Sequence, residues 1–139
     1  YKRQVCTTQT TNKIFDMVRA VTEKNQKRAL DLYYDLLTLR EPPMRILFLL
    51  AKQFRQICLT KKMSQEGLSQ TEIASKLGVP SFVVRNLASC ARSYTVEELE
   101  NAVRDFVDAE EAVKTGTLGD VLSVELLIVK YSSARAVRA

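Results

Sequence analysis

The segment PMRILFLLAKQFRQICLTK, residues 43–61, predicts one long helix that is apolar around most of its circumference. Proline at the first position suits the opening turn of a helix. At helical spacing, the main apolar stripe consists of Ile46, Leu47, Leu50, Phe54, Ile57 and Cys58. Such a helix lies at the centre of a helical bundle or between the bundle and a second subunit, and we favour the central position.

The polar side of the same helix holds the residues for which we predict a contact with a partner. Phe48, Leu49 and Leu59 lie on or near this side, among positive charges. Apolar side chains rimmed by charge are a common composition of protein interfaces. Burial of these three side chains within the bundle is the alternative, and a central helix favours it. The candidate interface residues are Arg45, Phe48, Leu49, Lys52, Arg55 and Leu59.

Helix signals recur on both sides of this segment. Residues 69–72 (SQTE) and 95–98 (TVEE) are capping boxes, and each predicts the start of a helix. Thr11 is predicted to cap the first helix, after an extended tail. The remaining predicted helices run over residues 26–38, 80–93 and 120–132. Together these signals predict an all-α fold, a compact bundle of about five to seven helices.

The last predicted helix runs over residues 120–132. Its inward stripe is predicted to be Leu122, Leu126 and Val129, at helical spacing. No hairpin and no internal repeat is predicted in the chain. Residues 79–84 are partly β-branched, but Pro80 argues against a strand there.

The composition excludes several kinds of site. The 139 residues contain no His, which rules out a His-based triad or an imidazole metal ligand within this chain. Cys6, Cys58 and Cys90 lack the spacing of a zinc site, and scattered thiols are typical of the reducing cytoplasm. The longest strongly apolar run, residues 46–51, is far shorter than the roughly 20 residues that a bilayer requires. We therefore predict a cytoplasmic chain with no metal, no cofactor and no membrane span.

The charge is unevenly distributed along the chain. Residues 1–92 hold 16 Lys and Arg against 7 Asp and Glu, whereas residues 93–139 hold 5 against 9, for a net charge of +5. A basic first part can indicate nucleic acid on one side of the protein. A solvated surface with contacts between subunits is the alternative, which we favour because moderate basicity is common.

Residues 70–87 have the apolar frame of a helix-turn-helix, with Gly78 at the turn. In a DNA-binding protein the second helix would present Ser81, Phe82, Arg85 and Asn86 to the major groove. The alternative is a helical corner used only for packing, since Phe82 is a poor residue for reading a groove. The pattern by itself leaves both interpretations open.

Nothing in the sequence indicates catalysis. Residues 114–116 (KTG) lack the glycines of a phosphate-binding loop, and they are better explained as the end of a helix. The carboxylates Asp105, Asp108, Glu110 and Glu111 lie along one predicted helix, where a solvated surface is the simpler interpretation than an acid–base pair. We therefore predict that the chain has no catalytic residues and is not an enzyme.

The order and spacing of several short stretches resemble the C-terminal collar domain of the bacterial DNA polymerase III delta subunit. The resemblance covers residues 12–131, and its last stretch is close to the family pattern d-x-x-i-K-x-G. No single stretch is highly specific, but their succession is. The stretches are residues 13–16 (KIFD), 29–32 (ALDL), 41–43 (EPP) leading into 46–47 (IL), 51–55 (AKQFR), 73–80 (IASKLGVP) and 112–116 (AVKTG).

This resemblance implies a non-catalytic, oligomerising part of the clamp loader, which places the sliding clamp on primed DNA during replication. It implies other loader subunits as partners, in an assembly of pentameric type, with the clamp and DNA engaged through the full-length protein. We expect a fragment of such a protein, with residues 1–11 as a linker or the end of the preceding domain and residues 12–139 as the collar domain. The alternative function is a helix-turn-helix regulator that binds DNA through residues 70–87.

Overall fold

The structure, a computed structural model, describes the backbone of residues 2–133 and the side chains of residues 10–133. This part of the chain contains helices and no strand, so the predicted all-α bundle is confirmed. The seven helices are α1 (Lys2–Thr22), α2 (Gln26–Thr38), α3 (Pro43–Gln65), α4 (Gln70–Leu77), α5 (Ser81–Ala91), α6 (Val96–Lys114) and α7 (Asp120–Ser132).

The start of α1 differs from the prediction. Helix α1 begins at Lys2, so Thr11 does not cap it and the expected extended tail is wrong for residues 2–10. No Gly or Pro interrupts residues 2–22, and the helix therefore continues through the run of Thr and Gln. The Thr11 hydroxyl instead accepts a hydrogen bond from the guanidinium of Arg45 at 2.9 Å, joining α1 to the first turn of α3. The assignment of residues 1–11 to a linker or a preceding domain stays a prediction.

Both predicted capping boxes are present. The Ser69 hydroxyl accepts from the Glu72 backbone N–H at 3.2 Å, and the Glu72 carboxylate accepts from the Ser69 backbone N–H at 2.8 Å. Thr95 and Glu98 form the same reciprocal pair at the start of α6. The hydrogen bonds from Ser69, its backbone N–H first, lower the pKa of the Glu72 carboxyl. These local signals define where α4 and α6 begin.

Helix α3 occupies the centre of the bundle, as its apolar circumference predicts. All six residues of its main apolar stripe are buried, namely Ile46, Leu47, Leu50, Phe54, Ile57 and Cys58. The ring of Phe54 lies at the middle of an aromatic cluster, with centroids 5.1 Å from Phe106, 5.7 Å from Tyr94 and 6.0 Å from Tyr131. These partners come from α6, α7 and the connection before α6, so α3 is the element against which the second half of the chain packs.

The carboxyl ends of α1, α5 and α7 meet near the C-terminal end of α3. The buried Tyr94 hydroxyl lies 2.7 Å from the carbonyl oxygen of Tyr131 in α7 and 3.2 Å from that of Val21 in α1. The ammonium group of Lys24 donates to the same Tyr131 carbonyl at 3.1 Å and lies over the Tyr94 ring. Lys61 donates to the Ala91 carbonyl at the end of α5. Cations at these carbonyls are favourable because helix ends carry partial negative charge.

A polar contact also joins α6 to α7. The Asp105 carboxylate accepts from the ammonium group of Lys130 at 2.8 Å and from the hydroxyl of Tyr131. Partial burial acts to raise the pKa of Asp105, but the hydrogen bonds from Lys130 and Tyr131 outweigh it, so the pKa lies below its ordinary value. The folded state therefore prefers the ionised carboxylate more strongly than the unfolded chain does.

Replacing Asp105 with Asn is expected to destabilise the chain in a pH-dependent way. At pH 7 the loss should be about 1–3 kcal/mol, typical of hydrogen bonds to a charged group. Because the folded pKa is lowered, the contribution of Asp105 is present above the unfolded pKa of about 3.9 and is lost as pH falls through the folded value. Urea unfolding at pH 7 and at pH 3 should show the difference shrinking in acid. Asp108→Asn, at an exposed position of α6, is the control, and an equal loss at both pH values would contradict this assignment.

Candidate protein interface

One face of α3 remains outside the bundle. Arg45, Phe48, Lys52, Arg55 and Leu59 follow one another at alternating steps of three and four residues, which places them on a single side of the helix. The structure therefore brings together five of the six candidate interface residues. We call this set the α3 outer face.

The apolar members of the candidate set have different environments. Phe48 is 60% exposed and Leu59 is also exposed, so burial within the bundle, the alternative favoured for them from sequence, is wrong for both. Leu49 is half-buried and packs against the main core, so it does not belong to the α3 outer face. Two large apolar side chains thus point to solvent from a helix whose other side is fully packed.

The charged members also divide into two groups. Arg45 is half-buried and forms a 2.6 Å ion pair with Glu41, one turn earlier, besides its hydrogen bond to Thr11. Its charge is therefore neutralised, and its role is to hold α1 and the start of α3 together. Lys52 and Arg55 are exposed and form no ion pair with any residue that the structure describes. The positive charge of the α3 outer face comes from these two side chains.

The exposed side of α7 is the opposite of the one predicted. Leu122 and Leu126 were expected inside, but each is about half exposed. The buried side of α7 instead consists of Ser123, Val124, Leu127, Ile128, Tyr131 and Ser132. The prediction was wrong because α7 is apolar on both sides, so periodicity could not select the inward one.

Contacts with α2 determine which side of α7 faces inward. The hydroxyl of Tyr33 donates to the Val121 carbonyl at 2.8 Å, and the hydroxyl of Tyr34 donates to the Glu125 carboxylate at 2.9 Å. With Glu125 turned toward α2, Leu122 and Leu126 are left at the surface. A second exposed apolar face therefore exists in the acidic part of the chain, and the only sequence signal for it was the apolarity of both sides of α7.

The corner between α4 and α5 packs as the helix-turn-helix frame predicts. Ile73, Ala74 and Val84 form a small core of their own, while Leu87 joins the main core and Leu77 is half-buried. Gly78 ends α4 with φ of +72°, a backbone conformation that favours glycine. The residues expected at a DNA groove, Ser81, Phe82, Arg85 and Asn86, are all exposed.

No arrangement for catalysis or metal binding emerges from the described side chains. Of the four carboxylates named from sequence, Asp105 binds Lys130 and Tyr131, Glu110 forms an ion pair with Lys114, and Asp108 and Glu111 are exposed, so these four have separate environments. Gly116 has φ of +80° just beyond α6, which confirms residues 114–116 as a helix end. Burial raises the pKa of the Cys58 thiol, the reverse of an activated nucleophile. Across residues 10–133, no group of three potential ligand side chains could hold a metal ion.

None of the described helices combines the length and the apolarity needed to cross a bilayer.

Comparison with known proteins gives consistent matches over most of the chain. Residues 11–131 match the family described as DNA polymerase III delta subunit, C-terminal domain. The chain is 32% identical over 117 residues to the DNA polymerase III subunit delta of Bacillus subtilis (strain 168), an alignment that covers 84% of this chain and 34% of that protein. The structure is similar to that of the Bacillus subtilis DNA clamp loader delta protein, with a TM-score of 0.82 and 30% identity over 88% of this chain and 36% of the other.

The chain therefore spans about a third of the length of these relatives. The family match over residues 11–131 includes the α4–α5 corner, and the comparisons give no support to the helix-turn-helix regulator. The corner is accounted for as a packing element of the bundle.

Proposed function

This chain belongs to the family of C-terminal domains of the DNA polymerase III delta subunit, and on that premise we propose that it holds a delta subunit within the clamp loader. Its partners are other loader subunits, in an assembly of pentameric type. The sliding clamp and primed DNA are reached through the full-length protein, in the cytoplasm. The domain is not catalytic, and the chemistry of the loader belongs to other subunits.

The observation that carries this proposal is the α3 outer face. Phe48 and Leu59 are exposed on the helix that is otherwise the most deeply packed of the bundle. Removing such side chains from water contributes about 25 cal/mol for each Å² of apolar surface buried. Because the opposite side of α3 is locked by the core, the outer face is presented rigidly, which reduces the entropy lost on association.

The charge around this face favours an acidic neighbour. Lys52 and Arg55 lie between Phe48 and Leu59 along this face and lack ion-pair partners within the described structure. Opposite charge on a partner would orient the encounter and raise its rate more than its affinity. This chain itself carries an excess of acid over residues 93–139, where Leu122 and Leu126 are exposed.

Two different faces on one domain suit assembly in a ring. An interface between unlike faces is heterologous, and heterologous contacts close into rings when the rotation between subunits permits. We propose the α3 outer face as one contact and the exposed side of α7 as part of a second. Each would meet a different neighbour of the delta subunit.

Side-chain oxidation tests whether the α3 outer face is covered. Hydroxyl-radical labelling of the full-length delta protein should modify Phe48 readily when the protein is free and several-fold less once the loader has assembled, because burial excludes the radical. Leu39, which is 54% exposed between α2 and α3, should react equally in both states. Mass spectrometry of the labelled peptides gives the two ratios. Equal labelling of Phe48 before and after assembly would refute the proposed contact.

A further inference from the structure

A groove with a volume of about 420 Å³ lies beside the α3 outer face, between α1, α3 and α5. Its two walls each present an exposed aromatic ring, Phe15 from α1 at 41% exposure and Phe82 from α5 at 56%. Val83 and Leu87 form an apolar floor. An exposed aromatic ring on each side of an apolar floor provides a site for an inserted apolar side chain.

The polar lining of this groove has a single sign of charge. Arg19 and Lys52 are its charged residues, both exposed, and the other polar lining residues are neutral. No carboxylate lines the groove in the described structure. The occupant that complements this lining therefore carries negative charge beside its apolar anchor.

The chain's own terminal sequence does not meet this requirement. Residues 134–139 read ARAVRA, with two Arg and no acid, so they are positively charged like the groove and do not complement it. A nucleic acid is also a poor match, because two cations give few phosphate contacts and the apolar floor does not suit the sugar–phosphate backbone. An amphipathic helix with acidic residues fits the aromatic walls, the apolar floor and the positive lining, since it inserts apolar side chains and keeps its charges at the rim.

We propose that the groove between α1, α3 and α5 binds an acidic amphipathic segment of a neighbouring loader subunit. An apolar side chain of that segment inserts between Phe15 and Phe82, and its carboxylates face Arg19 and Lys52. This inference rests on the proposed function, because Lys52 belongs both to the groove and to the α3 outer face. It adds to that function the amphipathic form of the partner segment and a further point of contact beside the α3 outer face.

Photo-crosslinking in the assembled loader tests the groove directly. The full-length delta protein is prepared with p-benzoylphenylalanine in place of Phe82 and, separately, in place of Phe48 or of Leu39. After assembly and irradiation, the crosslinked peptides are identified by mass spectrometry. Position 82 should crosslink to one neighbouring subunit, on a peptide in which Asp and Glu outnumber Lys and Arg, whereas position 39 should give no crosslink between subunits.

The other outcomes separate the two proposals. Crosslinks from position 48 but none from position 82 would support the contact at the α3 outer face and reject the binding of a partner segment in the groove. Absence of crosslinks from both positions in a correctly assembled loader would overturn both. A crosslink from position 82 to DNA, to a second copy of this chain, or to a peptide rich in Lys and Arg would also reject the acidic partner segment.

Two single substitutions provide an independent measurement. Phe82→Ser removes one aromatic wall of the groove at an exposed position, so the fold measured by circular dichroism should be unchanged. Incorporation into the loader should fall about fivefold or more, and Arg19→Glu should act in the same direction because it reverses charge at the rim. Wild-type incorporation of both variants would contradict the proposal.

Discussion

Replacing Phe54 with Ala is expected to lower the free energy of unfolding by about 3–5 kcal/mol, the range for removing a large aromatic side chain from a packed core. Phe54 is fully buried and contacts the rings of Phe106, Tyr94 and Tyr131. The cavity left by its removal would lie between α3, α6 and α7, where rigid rings on three sides limit collapse. Urea denaturation of the chain, followed by circular dichroism, measures the loss.

Phe48→Ala is the matched control for this substitution. It removes the same side chain from the same helix six residues earlier, at a position that is mostly exposed, so its effect on unfolding should stay within about 0.5 kcal/mol. A comparable loss for the two variants would mean that α3 is not oriented as described. The contrast thus tests which side of α3 is the core and which is the outer face.

The parts of the fold that depend on local interactions could be predicted from the sequence. Ser69 with Glu72 and Thr95 with Glu98 are three residues apart, so each capping box is complete within one turn and needs no tertiary contact. The buried stripe of α3 was equally predictable, because its apolar periodicity is strong and continuous.

The errors occurred where tertiary contacts decide between local alternatives. Thr11 is an acceptable helix cap by residue type, but it lies inside α1 and contacts Arg45, which is 34 residues away. In α7 both sides are apolar, and hydrogen bonds from Tyr33 and Tyr34 select the one that faces inward. Neither contact has a signature in the local sequence.

The candidate interface was predictable in position but not in detail. The spacing of Phe48, Lys52 and Arg55 predicts that they share one side of α3, and in the structure they do. The sequence could not show that Leu49 turns toward the core or that Arg45 is neutralised by Glu41. The groove walls come from α1 and α5, separated by more than 60 residues in the chain, so only the folded structure brings Phe15 and Phe82 together.

Reversing the charge of the α3 outer face is expected to prevent assembly without unfolding the domain. The double variant Lys52→Glu and Arg55→Glu places two negative charges where the proposed acidic neighbour binds, and like charges across an interface cost several kcal/mol. Since a factor of ten in affinity corresponds to 1.4 kcal/mol, incorporation should fall at least about tenfold. Both side chains are exposed, so circular dichroism and the unfolding midpoint should remain near those of the wild type.

The matched control reverses two exposed charges elsewhere, as Arg28→Glu and Lys76→Glu on α2 and α4. It changes the net charge by the same amount and leaves the α3 outer face intact. A general effect of charge would therefore affect the two double variants equally, whereas a specific contact affects only the first.

Incorporation of full-length delta protein, wild type or variant, into a loader reconstituted from its purified subunits shows whether the α3 outer face holds this domain in the assembly. Size-exclusion chromatography gives the fraction of delta protein that co-elutes with the other subunits at equal input. We expect Lys52→Glu with Arg55→Glu to lower this fraction at least about tenfold, while Arg28→Glu with Lys76→Glu matches the wild type. Wild-type incorporation of the Lys52 and Arg55 double variant, with its fold intact, would contradict the claim that the outer face of α3 holds this domain in the loader.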